Sequence, residues 1–169
     1  KMDFEIKKLS NHTGISIYNF DCSKKLNKDH VVNLKQLMQD YHFICFRKQK
    51  IDETSLVNFT RNFGNLESYP EKDKTKSKIE IFNVANVSSE GNHLREDDPR
   101  VVLQKNNSRW HTDSSYRYYP ALFSILYGKE VLPKEAEGGQ TQFSNMLLAY
   151  KNLTEDKKKL LEPLHQVHS

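Results

Sequence analysis

The chain has 169 residues, with 26 Lys and Arg against 22 Asp and Glu, for a net charge of +4. Hydrophobic residues make up 36% of it, including 9 Phe and 8 Tyr, and this content excludes a disordered chain. No apolar run approaches the roughly 20 residues that span a bilayer, and the opening KMDFEIKKLS has no apolar segment of the signal-peptide kind. Lys72, Lys74, Lys76 and Lys78 alternate with Glu71 and Asp73, which reads as a solvated surface. No finger, RNP or homeodomain signature accompanies them, so neither a nucleic acid nor a membrane is expected as a partner. Cys22 and Cys45 stand singly, and Cys45 lies inside the apolar FICF, as a buried thiol would. A reducing, cytoplasmic setting is expected. The chain starts at Lys1 and stops at Ser169 just after an apolar helical pattern, so it reads as one partial domain over 1–169 of a larger protein.

In chain order, residues 4–9 and 14–20 alternate as two strands around a polar turn at 11–14. Leu34, Leu37, Met38 and Tyr41 recur at helical spacing and predict an amphipathic helix from Lys28 to Tyr41. FICF (43–46) reads as a buried strand. Asp52 can cap a second helix with Leu56, Phe59 and Phe63 on its inner face and Gly64 in the C′ role. Ile79, Ile81, Val84 and Val87 read as a strand. Residues 88–107 are polar and read as a long loop. Residues 110–116, 121–127 and 140–146 are three further predicted strands. Thr154 then caps a helix with Glu155 and Asp156 in its first turn, where the helix dipole favours acids. This order is α+β, leaning to an antiparallel double sheet.

The segment most able to carry chemistry is RWHTDSSY (109–116). On a strand, residues i and i+2 share a face, so His111 and Asp113 would stand side by side with Thr112 turned away. A mixed nitrogen and oxygen pair suits a divalent first-row metal. Two histidines and one carboxylate with open positions form the ligand set of non-haem Fe(II) oxygenases. With seven His and 22 acids in the chain, chance alone supplies a His-x-acid pair. Taken alone it reads as a strand-end His hydrogen-bonded to a capping Asp. Further on, GGQTQFSNM (138–146) brings two glycines, which permit unusual backbone angles and close approach of a ligand. Thr141 follows them with a hydroxyl that can hydrogen-bond a carboxylate. Tyr116, Tyr118 and Tyr119 read as strand-end packing residues in preference to a substrate wall.

WHTDSSY, then PALFSIL, then GGQTQFSNM together resemble the taurine dioxygenase/chlorophenoxyacetate dioxygenase (TauD/TfdA-like) family of Fe(II)- and 2-oxoglutarate-dependent oxygenases. FICFRKQKID and LVNFTRNFGNLESYP resemble the family's segment ahead of its first metal motif, and the SS after the metal pair is closer to the chlorophenoxyacetate branch. The resemblance implies a double-stranded β-helix (jelly-roll) barrel with N-terminal helices packed outside. It implies His111 and Asp113 as two of three iron ligands and Thr141 as a hydrogen-bond partner of 2-oxoglutarate. It places Asn107 and Tyr69 at substrate-contacting positions. It further implies O2 as co-substrate, release of succinate and CO2, and hydroxylation of a small organic acid. Asp113 argues for oxygen transfer over halogenation, since related halogenases lack the carboxylate. Gln140 departs from the family, which often has Asp there. The family's distal His ligand and its 2-oxoglutarate-binding Arg lie downstream of the GGxT motif, past Ser169. His165 and His168 follow a helical pattern and are assigned structural or surface roles. His93 is expected in an exposed loop, and His12, His30 and His42 have no partners in sequence. Two other readings stand beside this one. One is a degenerate, non-catalytic binding module on the same fold. The other, a zinc hydrolase, lacks an HExxH-type helix. The oligomeric state is open, a homo-oligomer included.

Overall fold

The computed structural model describes residues 4–67, 80–88, 90–165 and 167. Its elements run β1 (Glu5–Lys8), β2 (Ile15–Tyr18), α1 (Lys28–Tyr41), β3 (Ile44–Phe46), α2 (Glu53–Arg61), α3 (Pro99–Asn107), α4 (Met146–Lys151) and α5 (Glu155–Leu161). They fall into two compact units, one of Lys1–Asn65 with Leu126–His168 and one built on Leu66–Ile125. No described helix is long and apolar enough to cross a membrane.

The first unit is built on a three-stranded sheet in the order β1-β2-β3. β1 and β2 form the hairpin expected from their alternation, antiparallel from Glu5↔Tyr18 to Lys8↔Ile15. Their turn is closed by Ser10, whose hydroxyl donates to the Thr13 carbonyl at 2.6 Å and accepts from the Thr13 N–H at 2.9 Å. Gly14 follows at φ 83°, and a Cβ there would stand 3.2 Å from the Phe43 ring. Both the backbone angle and the space call for glycine. Asn27 caps α1 by accepting from the His30 N–H, and His42 ends the helix in a left-handed conformation. The helix carries the chain across the sheet so that β3 pairs parallel to β2, with Ile15↔Ile44 and Ile17↔Phe46 in register. A parallel pair needs such a crossover. β2, flanked on both edges, is the most enclosed element: Ile15, Ser16 and Ile17 are all 0% exposed. The buried Ser16 hydroxyl accepts from Arg47 Nε at 3.0 Å, which satisfies a group that would otherwise be costly to bury.

α2 starts where the sequence placed it, with the Asp52 carboxylate accepting from the Ser55 N–H. Its C-cap is Asn62. Gly64 therefore lies one residue past the C′ position expected for it. Phe59 on this helix is buried and meets the rings of Phe20, Phe46 and Phe63 at centroid distances of 6.4, 5.4 and 5.3 Å. Two short helices complete the unit. Asn145 caps α4 by accepting from the Leu148 N–H, while its amide donates to the His12 carbonyl at 2.8 Å. Phe143 stacks on Phe43 at 3.9 Å, so the segment after the double glycine is docked on the hairpin end of the sheet. Thr154 caps α5 as expected.

Cys22 is buried in this unit, and burial, with the nearby Asp21 charge adding to it, pushes its thiol up from 9.0 to about 12. The folded state thus keeps a proton that the unfolded chain loses. Stability from this group is complete below pH 9 and is lost as pH rises towards about 12. Comparing urea midpoints of the native chain and Cys22→Ala across this range should show a steeper alkaline fall for the native chain. In thiol labelling at pH 8, Cys22 should react only after denaturant is added.

The second unit contains α3, which replaces part of the loop expected over 88–107. Asp98 precedes Pro99 and opens the helix: its carboxylate accepts from the Arg100 N–H at 2.9 Å and its carbonyl from the Val102 N–H at 3.0 Å. Aspartate followed by proline is an efficient helix start, because proline at the first helical position gives up only an N–H that has no partner there. Polar composition hid this signal. The guanidinium of Arg100, aided by its N–H, holds Asp98 at about 2. This contribution is present above the ordinary carboxylate range and is lost as pH falls through about 2. NMR shifts of α3 should accordingly stay helical at pH 4 and move towards coil below pH 2.

Four predicted strands do not form. Of residues 79–87, Ile79 lies outside the described residues, and the rest form no ladder, apart from a single bridge, Val87↔His93. Residues 113–116 turn, and 121–127 and 140–146 run without a strand partner among the described residues. Alternating side chains define faces, but a strand also needs a neighbour to pair with, and that neighbour is non-local. Leu122 and Leu126 of residues 121–127 are 76% and 78% exposed, while Phe123, Ile125 and Tyr127 are half-buried. Tyr118 and Tyr119, expected at a strand end, stack edge-on against each other in an exposed turn. The α+β content holds, while the sheet seen is the small three-stranded one.

Candidate metal centre

His111 and Asp113 lie in the second unit, at the start of a turn instead of on a strand. They nonetheless face each other: His111 Nε2 is 3.3 Å from Asp113 Oδ1. The turn achieves what strand geometry was expected to do. The backbone bends after Asp113, with Ser114 in the left-handed region at φ 55°.

The other ring nitrogen settles the tautomer. His111 Nδ1 is 2.7 Å from the carbonyl oxygen of Arg109. A carbonyl can only accept, so Nδ1 carries the proton and donates. In the neutral ring, Nε2 then presents its lone pair to a carboxylate oxygen. Either a proton on Nε2, which makes the contact an ion pair, or a cation held between the two atoms satisfies this spacing. This is also how metal-bound histidines are usually held, with the second ring nitrogen donating to a backbone or carboxylate oxygen. Two neighbouring ligands of a cation with bonds of about 2.1 Å stand about 3 Å apart, close to the spacing seen. Asp113 Oδ2 is engaged separately, accepting from Ser124 Oγ at 2.9 Å. The pair therefore fits a divalent cation. It supplies two donors, and among the described residues no group of three or more His, Cys, Asp or Glu gathers for a metal. About half of each side chain is open to solvent.

Thr141 is exposed and belongs to the first unit. The glycines before it take the unusual angles expected, φ 86° and 72°. At Gly139 the close neighbour is Leu132, whose Cδ1 would lie 2.5 Å from an added Cβ. Asn107 is exposed and closes α3, four residues before His111. Tyr69 lies outside the described residues, as does His168. His165 is exposed just past α5, in keeping with a surface role. His93 is exposed in its loop, as expected.

Sequence reasoning missed the residues that hold the pair from behind. Arg109 offers its carbonyl to His111, and Ser124 its hydroxyl to Asp113. Ser114 is 7% exposed and donates to Glu67 Oε2 at 2.7 Å, and the other oxygen of Glu67 pairs with Arg117 Nε. The SS of WHTDSSY was visible as a family-like feature, but nothing local pointed to Glu67.

Comparison with known proteins adds to this geometry. The chain is 31% identical over 156 residues to an alpha-ketoglutarate-dependent 2,4-dichlorophenoxyacetate dioxygenase of Cupriavidus pinatubonensis, covering 90% of this chain and 53% of that one. It is 34% identical over 147 residues to the dioxygenase of the same name from a Burkholderia species, covering 85% and 48%. Among solved structures, AAD-2 in complex with Mn(II) and N-oxalylglycine superposes with a TM-score of 0.80 at 28% identity, covering 95% of this chain and 54% of that one. The chain thus spans about half the length of these relatives. The model of the taurine catabolism dioxygenase TauD, TfdA family matches residues 5–169. The match includes His111 and Asp113, and this chain belongs to the TauD/TfdA family of dioxygenases.

Proposed function

We propose that the intact protein is an Fe(II)- and 2-oxoglutarate-dependent dioxygenase that hydroxylates a small organic acid. The observation that carries this reading is the His111 Nε2 and Asp113 Oδ1 pair at 3.3 Å, with Nδ1 fixed by the Arg109 carbonyl. Fe(II) bound there would supply the activation of O2 that couples oxidation of the substrate to conversion of 2-oxoglutarate into succinate and CO2. The chain's own residues bind and orient. His111 and Asp113 provide two ligands, one neutral and one anionic, and leave open positions for cosubstrate and O2. Thr141 would donate its hydroxyl to a 2-oxoglutarate carboxylate. Asn107 and Tyr69 would face the substrate. Relatives named for 2,4-dichlorophenoxyacetate and for (S)-phenoxypropionate support an aryloxy carboxylate as the substrate class. The solved neighbour bound to Mn(II) and N-oxalylglycine supports the metal and cosubstrate assignment.

The reading includes a double-stranded β-helix as the fold of the intact domain, of which residues 1–169 form one part. It includes a reducing, cytoplasmic setting, which the free thiols of Cys22 and Cys45 support. A homo-oligomer is compatible with it, and sedimentation of the intact protein decides that point. The activity is tested on protein of full encoded length, purified anaerobically and loaded with Fe(II). Addition of O2, 2-oxoglutarate and a panel of aryloxy carboxylates should yield succinate and hydroxylated product in equal amounts. Binding of 2-oxoglutarate without succinate would leave the non-catalytic module as the better reading.

A further inference from the structure

We infer that Ser124 and Glu67 are positioning residues that make Asp113 a one-oxygen ligand, an inference that rests on the metal reading above. The two oxygens of Asp113 have different partners. Oδ1 faces His111 Nε2 at 3.3 Å, and Oδ2 accepts from Ser124 Oγ at 2.9 Å. A carboxylate held by a hydroxyl at one oxygen cannot turn freely about its own axis. The bond also occupies one of the two lone pairs of Oδ2, which disfavours a grip on the cation through both oxygens. Ser124 therefore aims Oδ1 and keeps Oδ2 off the cation, which preserves a coordination position for another ligand.

The backbone behind Asp113 is held by Glu67. Ser114 is a non-glycine residue in the left-handed region, and such a conformation persists only where the surroundings over-determine it. Here they do. The Ser114 hydroxyl donates to Glu67 Oε2 at 2.7 Å, Arg117 Nε pairs with Glu67 Oε1, and the Arg117 N–H donates to the Ser114 carbonyl at 3.0 Å. One carboxylate thus ties both ends of the turn that begins directly after the ligand. Glu67 is only 22% exposed, so solvent weakens these bonds little. Both its oxygens are engaged in the turn, which separates its role from that of a ligand.

The test titrates the intact protein with Mn(II) and follows the free ion by electron paramagnetic resonance. Ser124→Ala should raise the Mn(II) dissociation constant about tenfold or more, the usual effect of removing an outer-shell partner, with an unchanged far-ultraviolet spectrum. Ser124→Thr should return it to the wild-type value. Glu67→Ala should weaken binding similarly, and if that variant does not fold, Ser124 decides alone. Wild-type Mn(II) affinity in Ser124→Ala, together with loss of binding in His111→Ala, would overturn this inference and leave the metal reading standing. Wild-type protein that takes up no Mn(II) would remove the metal reading, and this inference with it.

Discussion

His111→Ala and Asp113→Ala are each expected to lower 2-oxoglutarate turnover of the Fe(II)-loaded intact protein at least about 100-fold. Loss of a single outer-shell partner typically costs 10–100-fold in metal affinity or activity, and on the proposed reading these two residues are the ligands themselves. The two variants should fail in different ways. His111→Ala removes a neutral donor and leaves Asp113 free to hold a cation loosely beside Ser124. Asp113→Ala removes the anion and leaves the lone pair of Nε2 without its charged neighbour. Asp113→Asn keeps the shape and the Ser124 contact while removing the charge, so it separates charge from geometry. Both side chains are about half exposed, and neither supports the core. The variants should therefore fold normally, and succinate assays together with circular dichroism would show lost activity at unchanged structure. Undiminished succinate formation in both would remove the assignment.

The largest stability effect is expected at Phe59. Its ring is 4% exposed and lies among Phe20, Phe46 and Phe63, where α2 meets the sheet. Phe59→Ala removes the buried apolar surface and leaves a cavity that three fixed rings cannot collapse to fill. Substitutions of this kind cost about 3–5 kcal/mol. Domains are stable by only about 5–15 kcal/mol, so much of the margin would go. Urea unfolding should show a much lower midpoint at unchanged slope. Phe59→Leu, which refills most of the space, should lose far less.

The parts of the fold legible in the sequence are those set by neighbours along the chain. The hairpin needed only alternation and the Gly14 turn. α1 announced itself through the spacing of Leu34, Leu37, Met38 and Tyr41, and α2 and α5 through Asp52 and Thr154, each of which accepts from a backbone N–H three residues on. The missed helix, α3, carried a signal of the same local kind in Asp98 and Pro99, overshadowed by the polar run around it. The unformed strands are a different case. Residues 121–127 show the right residue types, but pairing depends on a distant segment that periodicity does not identify.

The site divides along the same line. Spacing brought His111 and Asp113 to notice, and the structure joins them through a turn instead of a strand face. Their supports were invisible because they are remote in sequence: Ser124 is 11 residues from Asp113, and Glu67 is 47 from Ser114. A serine or glutamate in such a place looks like any other polar residue until the chain is folded.

The pairing of imidazole and carboxylate around a cation is seen most directly in a crystal of the intact protein soaked in Mn(II), with an anomalous difference map recorded at the manganese edge. The expected result is a peak that bridges His111 Nε2 and Asp113 Oδ1, with Arg109 and Ser124 still on the outer atoms. A map with no density there, and the ring and carboxylate closed on each other through a shared proton, would contradict it.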